Sequence, residues 1–155
     1  MLGVSYYLYV GRRTHEHLLW QFSQKYAKVK HPASTRHVRD YKELGLLIGN
    51  GDHCDLFVGE LRSYTCSRQQ LLKQYASQKF WSPISEEYLP VEILFIDKGK
   101  VESGILYHGE IESQLPAPIE RIAADAKAAK ERSKRYYIVY IFDPGYDAGF
   151  DVRCL

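Results

Sequence analysis

Residues 136–142 have the sequence YYIVYIF, and this short run decides the fold. Its aromatic and β-branched side chains suit a pleated sheet, so it is the strongest strand that the sequence predicts. The next residues, DPGYDAG at 143–149, contain Asp, Pro and Gly, each of which favours turns. GFDVRC at 149–154 is then expected to return as a second strand. The sequence therefore predicts a hairpin here, with the other strands earlier in the chain.

Two further hairpins are predicted upstream. Residues 44–64 contain Asn50-Gly51 between two apolar runs, and both residues tolerate the positive φ of a type I′ turn. Residues 91–111 contain another pair of apolar runs around a short turn. GVSYYLYV at 3–10 is predicted as a separate strand. Because both of its faces are apolar or aromatic, this strand is placed inside the sheet.

Three helices are expected to cover the sheet. The first spans 14–30, where Thr14 caps the first turn and apolar side chains recur on one helical face. The second spans 67–81 and begins with the Ser-x-x-Gln pattern of a capping box. The third spans 118–135, and a proline in its first turn suits a helix start. The polar, basic segment 31–43 is expected to be a loop.

These elements predict an α+β fold in a single domain over 1–155. Its mainly antiparallel sheet has about six or seven strands paired in hairpins, and the three helices cover it. A chain of this length buries about two-thirds of its unfolded surface, which is enough for an apolar core. The inner-facing apolar positions are expected to form one core: Tyr6, Leu8, Phe22, Leu71, Leu94, Ile122, Ile138 and Tyr140.

Cysteine count and hydropathy bear on the location of the protein. The three cysteines, Cys54, Cys66 and Cys154, form no CxxC pair, and an odd number argues against a closed disulfide framework. The first residues lack a signal-peptide pattern. No run approaches the roughly 20 apolar residues of a membrane-spanning helix. We therefore expect a cytoplasmic protein with reduced thiols and no membrane contact.

Three clusters contain metal-ligating residue types. Asp143, Asp147 and Asp151 are four apart, which does not match the alternating ligands of a calcium loop. His15 and His17 are two apart and so do not share a helix face. DHCD at 52–55 has no companion pair at zinc spacing. The sequence therefore predicts no metal and no organic cofactor.

Acid–base pairs can be assembled without a recognisable catalytic motif. His108 and Glu110 share one face of a predicted strand. Asp55 and Glu60 lie near a strand end, where Arg62 stands at the position that a nuclease-like cluster gives to lysine. Charged pairs on strand surfaces are common without catalysis. A small hydrolase or nuclease is therefore the last-ranked of three functions.

A nucleic-acid-binding protein is the second-ranked function. Two basic segments contain interleaved tyrosines, and cations for phosphates with aromatic rings for bases suit single strands. The sequence pI of about 8.3 is low for a dedicated binder. The candidate contacts are Lys25, Arg36, Arg39, Lys127, Lys130, Arg132, Lys134 and Arg135.

A non-enzymatic protein-binding module is the first-ranked function. On the first predicted helix Trp20 falls opposite the apolar stripe, and Trp81 lies off the stripe of the second. Exposed tryptophans rimmed by polar groups are typical of interface hot spots. The predicted contacts are Trp20, His17, Gln24, Lys28 and Trp81. Size and composition are typical of small bacterial or phage inhibitors and toxin-neutralising immunity proteins.

Overall fold

A five-stranded antiparallel sheet lies at the centre of the fold in a computed structural model. The structure describes residues 2–49, 51, 53–82, 85–97, 100–105, 115–128, 135–147, 149 and 151–154. In chain order the elements are α1 Leu2–Tyr26, β1 Thr35–Gly45, β2 His53–Tyr64, α2 Arg68–Tyr75, β3 Lys79–Ser82, β4 Glu87–Pro90, β5 Glu92–Asp97, β6 Lys100–Ile105, α3 Pro118–Ala128, β7 Arg135–Asp147 and a 3₁₀ turn, Val152–Cys154.

The strand order explains why YYIVYIF dominates the sequence. The sheet has the order β1-β2-β7-β5-β6, every neighbouring pair is antiparallel, and β3 and β4 form a separate two-stranded sheet. β7 is therefore the central strand. The predicted fold class is confirmed, because hairpins of antiparallel strands are covered by helices in an α+β arrangement.

The central sheet separates two apolar cores. α1 and α2 cover one face, where Tyr137, Val139 and Ile141 of β7 point, and α3 covers the other. The prediction of one core is wrong, because the inner strands are buried on both faces. Phe22 and Leu71 lie on the α1 side, Leu94, Ile122, Ile138 and Tyr140 lie on the α3 side, and the side chains of Tyr6 and Leu8 are outside the described part.

The first helix begins earlier than predicted. α1 starts at Leu2, so the strand predicted at 3–10 is wrong. Thr14 is not an N-cap, since its hydroxyl donates to the Val10 carbonyl oxygen at 3.0 Å inside the helix. Tyrosine and valine cost only a few tenths of a kcal/mol in a helix, so continuity with the amphipathic part overrides their β preference. α1 ends at Tyr26, before the predicted position 30.

The loop predicted at 31–43 is also wrong, because most of it belongs to β1. β1 is an edge strand, and exposed charges on an edge protect it from pairing with other chains. β1 does pair with β2, but the two-residue turn predicted at Asn50-Gly51 is wrong, because β1 already ends at Gly45, opposite Asp55, and residues 46–49 are not part of a strand. Asn50 itself lies outside the described residues.

Helix α2 is shorter than predicted. Its capping box is confirmed, because the Ser67 hydroxyl accepts from the Gln70 amide at 3.2 Å and the Gln70 side chain accepts from the Ser67 amide at 3.0 Å. The helix ends at Tyr75, and Trp81 lies on β3 instead. α3 begins at Pro118 as predicted and is described to Ala128, while Arg135 already belongs to β7.

The segment after YYIVYIF does not turn back as predicted. β7 continues to Asp147 and pairs with β2 through a bulge opposite Cys54 and Leu56. The bulge accommodates the Pro-Gly dipeptide without ending the strand. GFDVRC forms no returning strand, since residues 152–154 adopt a 3₁₀ turn.

Within the described part of the chain, no helix combines the length and apolarity that crossing a bilayer requires.

Candidate functional site

Trp20 is a large apolar side chain on the outer face of α1. It is 57% exposed, as its position on the helical wheel predicts. The His17 ring stacks on it with centroids 5.7 Å apart. Gln21 Nε2 lies 3.0 Å from His17 Nε2 and so orients the imidazole. Gln24 and Lys28 are exposed nearby, so the structure places the predicted α1 contacts on the outer surface.

A second exposed aromatic pair lies on the β3–β4 hairpin. Trp81 and Tyr88 are directly opposite each other in the register of the two strands. Trp81 is 46% exposed and Tyr88 is 59% exposed, and their rings meet edge to face at 5.2 Å. Trp81 was predicted to lie on a helix, away from the apolar stripe of that helix. In the structure it lies on a strand instead. Tyr88 had no sequence signal, because only the pairing of β4 with β3 brings it to Trp81.

Lys25 links the two aromatic pairs. Its ammonium group donates to the Trp81 carbonyl oxygen at 2.6 Å, and partial burial lowers its pKa. Lys25 is one helical turn from Gln21, and residues four apart are neighbours on a helix. His17, Gln21 and Lys25 therefore follow one face of α1, from the stacked His17–Trp20 pair to the hairpin. We call Trp20, His17, Trp81 and Tyr88 the aromatic surface.

An open basic pocket of about 350 Å³ adjoins the aromatic surface. Three of its lining residues are lysines and none is acidic: Lys28, Lys30, Gln74, Ser77, Gln78, Lys79 and Phe80. Gln78 braces it by accepting from the Lys30 amide at 2.8 Å and donating to the Lys30 carbonyl at 2.9 Å. Lys79 and Phe80 directly precede Trp81 on β3. The pocket can therefore attract an anionic group beside the exposed rings.

The residues predicted to contact nucleic acid do not form one surface. Lys25 lies on the α1 side of the sheet, whereas Arg39 pairs with Asp125 of α3 at 2.8 Å on the other side. Arg135 donates to the carbonyls of Thr65 and Cys66 at 2.8 Å each. Arg36 and Lys127 are exposed on β1 and α3. Lys130, Arg132 and Lys134 lie outside the described residues.

Asp55 and Glu60 do not form a catalytic pair. They are five residues apart on β2, so they point to opposite faces of the sheet. Asp55 is fully buried and accepts from the amides of Leu47 at 2.8 Å, Ile48 at 3.0 Å and Gly145 at 3.0 Å. This carboxylate therefore holds two loops against β2.

Glu60 has a structural environment as well. Burial alone would raise its pKa, but hydrogen bonds from His31 and Arg62 outweigh burial and lower it. His108 and Glu110, the other predicted pair, lie outside the described residues.

A chain of hydrogen bonds crosses the α1-side core. His31 Nδ1 lies 2.8 Å from the Tyr75 hydroxyl, which lies 2.9 Å from the Tyr137 hydroxyl. Burial raises the pKa of Tyr75 and of Tyr137, so both phenols stay protonated. Because each polar tip has a partner, the chain stabilises the core.

The three aspartates at 143, 147 and 151 have separate environments. Asp143 is fully buried beneath the β3 hairpin and accepts from the Ser82 hydroxyl, and burial raises its pKa. Asp147 is exposed and accepts from the Gly149 amide at 2.8 Å. Asp151 is buried and lies 3.0 Å from His15 of α1. The described aspartates therefore form no shared metal loop.

Asp151 belongs to a buried cluster with His15, Cys54 and Cys154. Cys54 and Cys154 form a disulfide, so the expectation of three reduced thiols is wrong for this pair, and only Cys66 is free. The odd number of cysteines did not exclude a disulfide, because two of the three pair and the third thiol remains free. Hydrogen bonds from Arg153, assisted by His15, lower the pKa of Asp151.

The cluster does not have the geometry of a cysteine protease. His15 Nδ1 lies 3.0 Å from Asp151 Oδ2 and 3.6 Å from Cys54 Sγ. A catalytic base uses its two ring nitrogens for two different partners. Here both contacts involve the same ring nitrogen, so the arrangement resembles a set of ligand atoms around one metal ion.

Comparison with known proteins identifies no relatives. No protein-family model matches the chain, and no curated protein or solved structure is significantly similar to it. Functional inference therefore depends on the described side chains.

Proposed function

We propose that this protein is a non-enzymatic binding module that recognises an acidic, partly apolar segment of another protein. The observation that carries this proposal is the exposure of two aromatic pairs, one on α1 and one on the hairpin, with Lys25 of α1 hydrogen-bonded to the Trp81 carbonyl oxygen. The basic pocket beside the aromatic surface supplies the charge preference. An inhibitor or immunity protein that acts in the cytoplasm of a bacterium, or is encoded by a phage, is the kind of module proposed.

Two physical arguments support a protein partner. Tryptophan and tyrosine dominate interface hot spots because they bury a large area while losing little conformational freedom. Isolated exposed apolar residues are ordinary, but here three large exposed rings lie on two elements, α1 and the hairpin, that a hydrogen bond from Lys25 joins. Lysines near such rings mainly speed association with an acidic partner and add specificity.

The proposal is tested by affinity capture from extracts of the source cells, followed by titration of the captured protein. Trp20→Ala and Trp81→Ala should each raise the dissociation constant about 30-fold, the effect of losing roughly 2 kcal/mol at a hot spot. Lys79→Glu should slow association and weaken its salt dependence. Thermal stability should stay unchanged, since both tryptophans are exposed.

Val38→Ala is the matched control, because Val38 is 41% exposed on β1, outside the aromatic surface. It should leave the affinity unchanged. Equal affinity of all variants would place the interface elsewhere, and a stability loss of several kcal/mol in Trp20→Ala would make Trp20 a core residue. If the captured partner is nucleic acid and its binding falls steeply with salt, the second-ranked function replaces this one.

A further inference from the structure

Four buried side chains with metal-binding atoms meet where α1, β2 and the 3₁₀ turn come together. His15 comes from α1, Cys54 from β2, and Asp151 and Cys154 from the turn. Their candidate ligand atoms all lie within 4.8 Å of one another. Asp151 and Cys154 are three residues apart, and a 3₁₀ turn places such residues on the same side.

The types and spacing of these groups suit zinc. Zinc binds thiolate sulfur, imidazole nitrogen and carboxylate oxygen, most often four at a time in a tetrahedron. With bonds of about 2.0–2.3 Å, the ligand atoms of such a site lie roughly 3.3–3.8 Å apart. The His15 Nδ1–Cys54 Sγ distance is 3.6 Å, and the His15 Nδ1–Asp151 Oδ2 distance is 3.0 Å. Small adjustments therefore bring all three atoms to one ion.

We propose that, once the Cys54–Cys154 bond is reduced, His15, Cys54, Asp151 and Cys154 bind a single structural zinc ion. Four protein ligands leave no open position, which is the pattern of structural rather than catalytic zinc. This proposal replaces the expectation, drawn from sequence, that the protein holds no metal. The cytoplasm, where the protein is proposed to act, keeps cysteines reduced.

Arg153 supports this assignment from outside the ligand set. Its backbone amide and Nε donate to Asp151 Oδ1 at 3.1 Å and 2.9 Å, and its Nη2 donates to Oδ2 at 2.6 Å. Groups that hold a ligating carboxylate in place are a usual part of zinc sites. Two thiolates and one carboxylate carry three negative charges, which zinc and the Arg153 guanidinium balance. A charge-neutral buried site avoids the cost of an uncompensated ion.

The sequence signal for this site is the D-x-x-C spacing at 151–154, which a search for paired cysteines does not find. The other two ligands are distant in sequence, at positions 15 and 54. The chain returns to the end of β1 and brings the turn to them, since the amide of Leu46, the residue after β1, donates to the Arg153 carbonyl at 3.0 Å.

The experiment uses untagged full-length protein reduced by a phosphine without oxygen. The phosphine takes an oxygen atom from water, and the disulfide gains two electrons and two protons to give two thiols. Co²⁺ is the probe, because it gives visible d–d bands when tetrahedral and a charge-transfer band when bound to thiolate. We expect one Co²⁺ per chain with both signals, and two thiol protons should be released to solvent as it binds. Added Zn²⁺ should displace the Co²⁺ and abolish both signals.

Cys66→Ser is the matched control, since Cys66 is outside the cluster, and it should bind Co²⁺ like the wild type. Neither Cys154→Ser nor the unreduced wild type should give the tetrahedral Co²⁺ spectrum. Because unfolding of Cys154→Ser would also remove the spectrum, the wild type supplies a second measurement that needs no variant. Zn²⁺ should raise the melting temperature of the reduced protein with increasing concentration and leave that of the oxidised protein unchanged.

Reduced wild-type protein that stays folded by circular dichroism but gives no tetrahedral cobalt spectrum overturns the proposal. Loss of the spectrum in Cys66→Ser also overturns it, because the metal would then use a different set of ligands. Either result leaves the aromatic surface and its protein partner untouched, since that surface shares none of the four side chains.

Discussion

Glu92 is a carboxylate inside the α3-side core. It is only 6% exposed, and its Oε2 accepts from the Tyr140 hydroxyl at 2.7 Å. Burial raises the pKa of Glu92 to about 7, although the Tyr140 hydrogen bond acts in the opposite direction. The folded protein therefore holds this proton at pH values where the unfolded chain has released it.

Because the folded protein holds this proton more tightly than the unfolded chain does, the free energy of unfolding falls as pH rises. Below about pH 4.5, the ordinary value for glutamate, both states are protonated and the contribution is complete. Between about pH 4.5 and 7 only the folded state keeps the proton, so the free energy of unfolding should drop by roughly 3 kcal/mol. Glu92→Gln should remove this drop, because an amide accepts the same hydrogen bond without titrating. Urea denaturation from pH 4 to 8 measures it.

Val38→Ala provides the comparison, since Val38 is exposed on β1 and carries no titrating group. Its pH profile should match that of the wild type. If the Glu92→Gln and wild-type profiles run parallel, the pKa of Glu92 is the same in the folded and unfolded states, and burial does not raise it.

At the residue scale, the exposure of a side chain could be predicted from the sequence, whereas contacts between distant residues could not. The exposure of Trp20 follows from helical periodicity alone, and the structure confirms it. By contrast, Glu92 and Tyr140 are 48 residues apart, and His15 and Asp151 are 136 apart. Local patterns carry no information about such pairs, because the sheet order decides which distant residues meet.

At the scale of elements, β2 depends on a residue without a side chain. Gly59 pairs with Tyr41 on one side and Tyr140 on the other. A Cβ atom at this position would lie 2.6 Å from the Tyr140 Cβ and 2.8 Å from the Val139 carbonyl oxygen. Backbone atoms cannot move aside as a flexible side chain can, so the strands would have to separate.

Gly59→Ala should therefore destabilise the protein by about 1–3 kcal/mol, the usual cost of overpacking a core. Gly149→Asn is the control: Gly149 has φ +53 with open space around it, and asparagine tolerates that conformation. It should change the free energy of unfolding by less than about 0.5 kcal/mol. Equal values for the two variants in chemical denaturation would show that β2 can relax around the added methyl group.

Elements were predictable where their pattern was strong. The β5–β6 hairpin and the α2 cap follow from alternation and from turn or capping residues, and the structure has both. β1 was missed because an edge strand with one solvated face looks like a loop when its residues are charged. The strand predicted at 3–10 failed for the opposite reason, since β-forming residues there extend a helix.

At the scale of the whole molecule, one sheet shared by two cores determines stability. Leu71 is fully buried on the α1 side and Ile138 is fully buried on the α3 side. Because these side chains pack against different helices, a cavity in one core does not change the packing of the other. The two cores should therefore contribute separately to the free energy of unfolding.

Leu71→Ala and Ile138→Ala should each cost about 2–5 kcal/mol, the range for large-to-small changes in a core. The double variant should lose the sum of the two, since residues without shared partners behave additively. Chemical denaturation measures all three. A cost below about 0.5 kcal/mol would show that the face was assigned wrongly, and a strongly non-additive double variant would show that the sheet couples the two cores.

The central place of β7 has a consequence for how the chain is made. A ribosome produces β1, β2, β5 and β6 before β7, yet β7 lies between β2 and β5 in the finished sheet. Until it emerges, β2 and β5 each lack the neighbour that they pair with in the finished sheet, so we expect an open edge on each of the two hairpins. Unpaired edges of this kind invite association between neighbouring chains. The step that joins the halves is also non-local, which makes folding slow. The cell must therefore protect this protein longest while YYIVYIF is still being translated.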